Sequence, residues 1–143
     1  MVPIIAFCAL VWPGKCFGDG YTDAKVERLL VSKTAYNGQP LNYLKTDRPE
    51  VTVLLVTIPP GGSTGWHEHP VPVYAYMLEG ELTVELKNGG HYRFVKGDPV
   101  LEVVNQPHNG RNTGTTDARL LVFYTGATDL KNVIRSQEEQ ATP

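Results

Sequence analysis

Short segments of alternating hydrophobicity, separated by turn residues, are the feature that most limits how this chain folds. The segment 51–59 is rich in β-branched residues and ends at a Pro-Pro-Gly-Gly turn signal. Further predicted strands are 73–78, 81–87, 91–95, 99–104 and 119–125. Turn signals recur about every eight to twelve residues, which favours a closed antiparallel barrel or a sandwich over βαβ units.

Three histidines give the main indication of function. His67 and His69 are one residue apart in an extended segment, and His108 lies further along the chain. Alternate side chains of a strand share a face, so His67 and His69 can direct two imidazoles at one point. Imidazole is a common ligand of divalent transition metals, although a histidine pair also arises by chance as surface or hydrogen-bonded residues.

Two motifs around these histidines resemble those of the cupin family. The first, Gly-x5-His-x-His-x3-Glu-x6-Gly, is matched at Gly61, His67, His69 and Gly80. The second, Gly-x5-Pro-x-Gly-x2-His-x3-Asn, is matched at Gly97, His108 and Asn112. Both spacings hold without a gap, and the resemblance covers residues 51–126. It implies an all-β fold, a double-stranded β-helix or jelly-roll barrel, with a metal ion bound inside one end.

The sequence departs from these motifs at three positions. Val103 and Asn105 replace the proline and glycine of the second motif, and Asn105 is a mild change because Asn enters left-handed conformations readily. Val73 stands where the family carries its metal-binding glutamate, and valine has no donor atom. The resemblance therefore implies three metal ligands, His67, His69 and His108. Glu102 is a candidate for the missing carboxylate, the alternative being a surface glutamate at a strand edge.

The resemblance implies one divalent metal ion, and the residues do not distinguish Fe, Mn, Ni, Zn and Cu. Three neutral imidazoles leave a divalent ion with a net charge of about +2, which favours an anionic ligand or bound hydroxide.

Strand register predicts which side chains line the pocket. If the alternation continues from Val73, then Ala75 and Met77 also face inward, and the pocket is small and apolar. The alternative is that these three are ordinary core residues. Trp66 and the tyrosines are candidates for a dimer interface, since many cupins are homodimers, and equally for core packing.

Length, charge and composition limit the possible partners. A chain of 143 residues allows one domain with one barrel core. A net charge of −2 without a basic cluster argues against nucleic acid, which requires concentrated positive charge. No run reaches the ~18 apolar residues of a membrane-spanning helix, so we expect a mature protein without a membrane partner that binds a small-molecule ligand or substrate.

The two ends of the chain differ in composition from the rest. Residues 2–12 are apolar, and Cys16-Phe17-Gly18 offers a cleavage site, so residues 1–18 are predicted to be a signal peptide of a periplasmic or secreted protein. The alternative is an N-terminal arm on a cytoplasmic protein. Residues 19–128 are assigned to the barrel, and residues 129–143 to a polar tail that forms a short helix at most.

Three functions remain open from the sequence. The first is a metal-dependent enzyme, either an oxidoreductase of the dioxygenase type or an isomerase or lyase, that acts on a small anionic molecule. The second is a non-catalytic module that binds or senses a small molecule or a metal. The third is a barrel that has lost its ion and keeps the histidines as polar groups of the pocket.

Overall fold

The computed structural model describes residues 23–136, and the strands in this range form two antiparallel sheets. The strands are β1 (Pro49–Ile58), β2 (His67–Glu68), β3 (Val73–Glu79), β4 (Glu81–Leu86), β5 (His91–Val95), β6 (Pro99–Leu101), β7 (His108–Arg111), β8 (Ala118–Ala127) and β9 (Ile134–Arg135).

The two sheets form a jelly-roll barrel. One sheet has the order β1-β8-β3-β6 and the other has the order β5-β4-β7-β2-β9. Strands that are distant in sequence are therefore neighbours in space, which the crossing connections of a jelly roll require. The prediction of an all-β jelly-roll fold is confirmed. Within residues 23–136 there is no helix, and hence none long and apolar enough to span a membrane.

The barrel core consists of side chains from the inner faces of both sheets. On β3, β4 and β8 buried residues alternate with more exposed ones, as the period of two in their sequences predicts. The core residues from these strands are Val73, Ala75, Met77, Leu82, Val84, Ala118, Leu120, Val122 and Tyr124.

Short strands account for the difference between the predicted and observed elements. The six predicted strands are all observed, as β1, β3, β4, β5, β6 and β8, although β6 ends at Leu101 rather than at residue 104. Strands β2, β7 and β9 are not predicted. Strands β2 and β9 have only two residues each, and the sequence His-Asn-Gly-Arg of β7 contains none of the residues that favour strands. Their strand conformation comes from pairing with neighbours, not from local propensity.

Asn105 and Asn112 fix the chain on either side of His108. Asn105 has a φ of 53°, so the left-handed conformation expected of it is confirmed. The buried Asn112 amide donates to the carbonyls of Ile58 and Thr116, both at 2.8 Å, and its Oδ1 accepts from Gly114 N–H at 2.9 Å. These bonds attach the end of β7 to the end of β1.

The ends of the chain bear on two predictions. The predicted signal peptide, residues 1–18, lies outside the described residues. The segment after residue 128, predicted as a polar tail with at most a short helix, contains a strand instead, because Ile134 and Arg135 pair with β2 as β9. Residues 137–143 also lie outside the described range.

Gly80 provides a test of the packing between β3 and β8. It has a φ of 69°, and a Cβ atom there would overlap the main-chain carbonyl of Asp117. Gly89 has a φ of 93° but open space around it. We expect Gly89→Ala to lower the free energy of unfolding by about 1–2 kcal/mol through the left-handed conformation alone. Gly80→Ala should cost at least about 1 kcal/mol more because of the overlap. Urea denaturation of both variants measures this, and equal losses would contradict the packing described here.

Candidate metal centre

The three predicted histidines meet inside the barrel. His67 and His108 are directly opposite each other in the β2–β7 pair, and His69 follows β2 on the same side as His67. Their ring centroids are 4.4 Å apart for His67 and His108, 4.8 Å for His67 and His69, and 5.0 Å for His69 and His108. One ring nitrogen from each lies within 4.8 Å of the other two. All three side chains are buried, so the group is part of the interior and is not a surface cluster.

Main-chain carbonyls fix the protonation of each ring. Nδ1 of His67 donates to Gly65 O at 2.8 Å, Nδ1 of His69 to Asn132 O at 2.8 Å, and Nδ1 of His108 to Gln106 O at 2.9 Å. A carbonyl only accepts hydrogen bonds, so Nδ1 carries the proton in each case and a neutral ring leaves its Nε2 lone pair free. Carbonyl partners of this kind orient metal-binding histidines.

Glu102 adds a carboxylate to the three rings. Its Oε2 lies 3.4 Å from His69 Nε2 and 3.2 Å from His108 Nε2. The Glu102 N–H donates to Val73 O at 3.0 Å, one step beyond the Tyr74–Leu101 pair of β3 and β6. Glu102, the residue after β6, therefore lies beside Val73, the first residue of β3. The alternative of a surface glutamate does not hold, because the side chain is only 15% exposed and faces the histidines.

The electrostatics of this group suit a bound cation. In their neutral form, His69 and His108 direct lone pairs at a carboxylate that also only accepts hydrogen bonds. His108 Nε2 is buried and has no hydrogen-bond partner among the described residues. A metal ion between these atoms satisfies all of them, so the residues present fit a divalent metal.

The pKa values of these groups follow from burial and from their mutual contacts. Burial lowers the pKa of His67 to about 4, so the ring is neutral at neutral pH and its Nε2 is available as a ligand. Burial acts to raise the pKa of Glu102, but contact with His108 and His69 in their protonated form outweighs it and lowers that pKa. Burial likewise acts to lower the pKa of His108, and the Glu102 carboxylate reverses this and raises it.

A cavity of about 360 Å³ opens onto the histidines and Glu102. This volume lies within the range for small-molecule sites, although near its lower end. Apolar side chains from four strands form much of its wall: Val56, Ile58, Leu82, Val84, Val100, Leu120 and Val122.

The prediction that Val73, Ala75 and Met77 line the pocket needs correction. All three face inward, but they belong to the packed core and are not among the residues of the cavity wall. By register they lie beside Tyr124, Val122 and Leu120 of β8, which do line the cavity. The cavity wall is partly apolar, and its apolar strand residues come from β1, β4, β6 and β8, whereas β3 was expected to line it.

Tyr124 is a cavity residue that the sequence analysis did not identify. Its ring centroid lies 5.4 Å from that of His69, in an edge-to-face arrangement. Burial, with a smaller contribution from the Glu102 charge, raises the pKa of Tyr124 to about 12, so the phenol is neutral and can donate a hydrogen bond into the cavity. The alternation of the strand could have predicted that Tyr124 faces inward, because it lies at every second position with the inward residues Leu120 and Val122.

The C-terminal segment also contributes to the site. Asn132 supplies the carbonyl that orients His69, and Val133 and Arg135 line the cavity. No motif identified these residues in the sequence. The only local indication is the apolar pair Val133–Ile134 in an otherwise polar segment.

Comparisons with known proteins agree with this architecture. The family model of the cupin domain matches residues 54–124. No curated protein sequence matches the chain at a significant level.

Solved structures with this fold include lyases. A chain from the crystal structures of the DMSP lyases RdDddP and RnDddQII is 25% identical with a TM-score of 0.52, over 61% of this chain and 44% of that one. The DMSP lyase DddQ from Ruegeria pomeroyi DSS-3 is 24% identical with a TM-score of 0.54, over 71% and 48%. A protein from Bacillus halodurans is 21% identical with a TM-score of 0.50, over 59% and 69%. The match spans less than half the length of the two lyase chains.

Proposed function

Because the chain is a cupin-domain protein, we propose that it is a metal-dependent enzyme that acts on a small anionic molecule by lyase- or isomerase-type chemistry. His67, His69, His108 and Glu102 hold one divalent metal ion. The observation that carries this proposal is that each histidine Nδ1 donates to a main-chain carbonyl, which leaves the opposite ring nitrogens as free ligands beside the Glu102 carboxylate.

The charge of the site favours an anionic substrate. Three neutral imidazoles and one carboxylate leave a divalent ion with a net charge of about +1, one less than the histidines alone predict. The bound ion supplies Lewis-acid polarisation of a substrate oxygen. The apolar wall excludes water from this point, and the neutral phenol of Tyr124 orients a ligand by donating a hydrogen bond.

The class of reaction is supported by likeness to known enzymes. The DMSP lyase chain at 25% identity favours a lyase-type reaction over oxygen activation. A non-catalytic binding module has the same metal site and cavity, so turnover separates it from an enzyme.

Metal binding is tested by substituting the proposed ligands. We expect His108→Ala and Glu102→Gln each to lower metal retention by roughly tenfold or more, since even outer partners of metal ligands contribute roughly 10–100-fold to affinity. Inductively coupled plasma mass spectrometry after dialysis against a chelator measures retention, and circular dichroism checks the fold. His91→Ala and Glu50→Gln are matched controls, because both residues are exposed and neither lines the cavity. Equal retention in wild type and the ligand variants would refute the site.

The reaction class is tested with protein loaded anaerobically with each candidate metal. We expect a panel of small carboxylates that includes DMSP to yield product without oxygen uptake, and His108→Ala to abolish turnover. Mass spectrometry follows the products, and an oxygen electrode follows oxygen. Stoichiometric oxygen consumption would assign the protein to the dioxygenases, and saturable binding without turnover would make it a binding module.

We also propose that the protein is a homodimer through β1. This strand is the edge of its sheet, and its outer face exposes Val51, Val53 and Leu55 at 60%, 49% and 56%. Phe123, directly beside Val53 on β8, is a further 37% exposed. A long apolar edge strand is prone to pair with another chain, and two identical edges can pair antiparallel about a two-fold axis.

Light scattering after size-exclusion chromatography tests the dimer. The wild type should have the mass of two chains, and Val53→Lys combined with Leu55→Lys should shift it to one chain, because two charges would be buried in the interface. Tyr43→Lys is the control, as Tyr43 is exposed but not on β1. A monomeric wild type, or dissociation by the control substitution, would show that β1 is not the interface.

A further inference from the structure

Arg135 is placed on the cavity side of β9. It lies directly opposite His67 in the β2–β9 pair, and opposite residues of an antiparallel pair project from the same face of the sheet. Val133, two residues earlier, lines the same cavity, as the strand period requires. Arg135 is therefore on the side of the sheet that carries the metal-binding ring of His67.

The Arg135 charge has no partner in the cavity. Within residues 23–136 the side chain forms no ion pair, and it is the only Arg or Lys among the residues that line this cavity. The one carboxylate of the wall, Glu102, is in contact with His69 and His108. An uncompensated guanidinium at the opening of a partly apolar cavity attracts anions and raises their local concentration.

We propose that Arg135 binds the carboxylate of a small monocarboxylic acid whose apolar part lies in the cavity. The planar guanidinium fork matches two carboxylate oxygens. Val56, Ile58, Val84, Leu120 and Val122 provide apolar contact for the rest of the ligand, and the volume of about 360 Å³ limits it to a small molecule. That this acid is the substrate rests on the proposed function, but its binding by Arg135 does not.

The test compares a charged ligand with a neutral one of the same shape. Isothermal titration calorimetry on the full chain, with and without bound metal, measures the affinity for butyrate and for butyramide. We expect the wild type to bind butyrate roughly tenfold more tightly, as is typical of a charge-assisted hydrogen-bonded pair. Arg135→Leu should remove that preference, and Arg135→Lys should retain part of it because the charge remains without the fork.

Matched controls separate direct binding from general electrostatics. Lys131→Leu removes an exposed positive charge from the same segment, but Lys131 does not line the cavity, so its butyrate affinity should equal that of the wild type. Metal content and circular dichroism should be unchanged in all variants. An equal loss in Lys131→Leu, an unchanged affinity in Arg135→Leu, or a wild type that does not bind butyrate would each overturn the inference.

Failure of the inference and failure of the proposed function give different results. If the protein binds no metal but the metal-free chain keeps its Arg135-dependent preference for butyrate, the proposed enzyme is wrong and the carboxylate site stands. If metal binds and turnover occurs but Arg135→Leu binds butyrate normally, only the role of Arg135 is wrong.

Discussion

The hydrogen bonds from the three histidine Nδ1 atoms to main-chain carbonyls are the interactions on which the site depends. The carbonyls belong to Gly65, Gln106 and Asn132, which lie on three chain segments far apart in sequence. Each bond fixes both the tautomer and the orientation of its ring, so the free nitrogens converge only when all three segments are in place. The convergent histidine cluster is therefore a property of the closed barrel, and no one segment forms it alone.

A carboxylate lies beside the histidines even though it comes from a different sequence position than the cupin motif specifies. The cupin motif has glutamate where this chain has Val73, but Glu102 is beside Val73 across the β3–β6 pair. Neighbouring positions of paired strands are about 5 Å apart, so a side chain from either strand reaches the same point. The sequence made Glu102 a candidate, but only the register between the two strands shows that it reaches His69 and His108.

Sequence reasoning succeeded where a local pattern determines the outcome. The longer strands, the left-handed Asn105 and the inward-facing histidines follow from alternation, backbone preference and motif spacing. It failed for β2, β7 and β9, whose conformation depends on pairing with partners distant in sequence. It also failed for the cavity wall, because alternation shows that Val73, Ala75 and Met77 face inward but not whether they meet a cavity or other side chains.

The segment 132–135, which ends in β9, links the two halves of the site. It supplies the Asn132 carbonyl to His69, and its β9 residue Arg135 lines the cavity. Pairing of β9 with β2 positions both the Asn132 carbonyl and the Arg135 side chain. A metal ion or an anion that stabilises this pairing would therefore also favour binding of the other ligand. Linkage makes this effect reciprocal, so metal and anion should each raise the affinity of the protein for the other. The direct attraction between a net positive metal centre and an anion acts in the same sense.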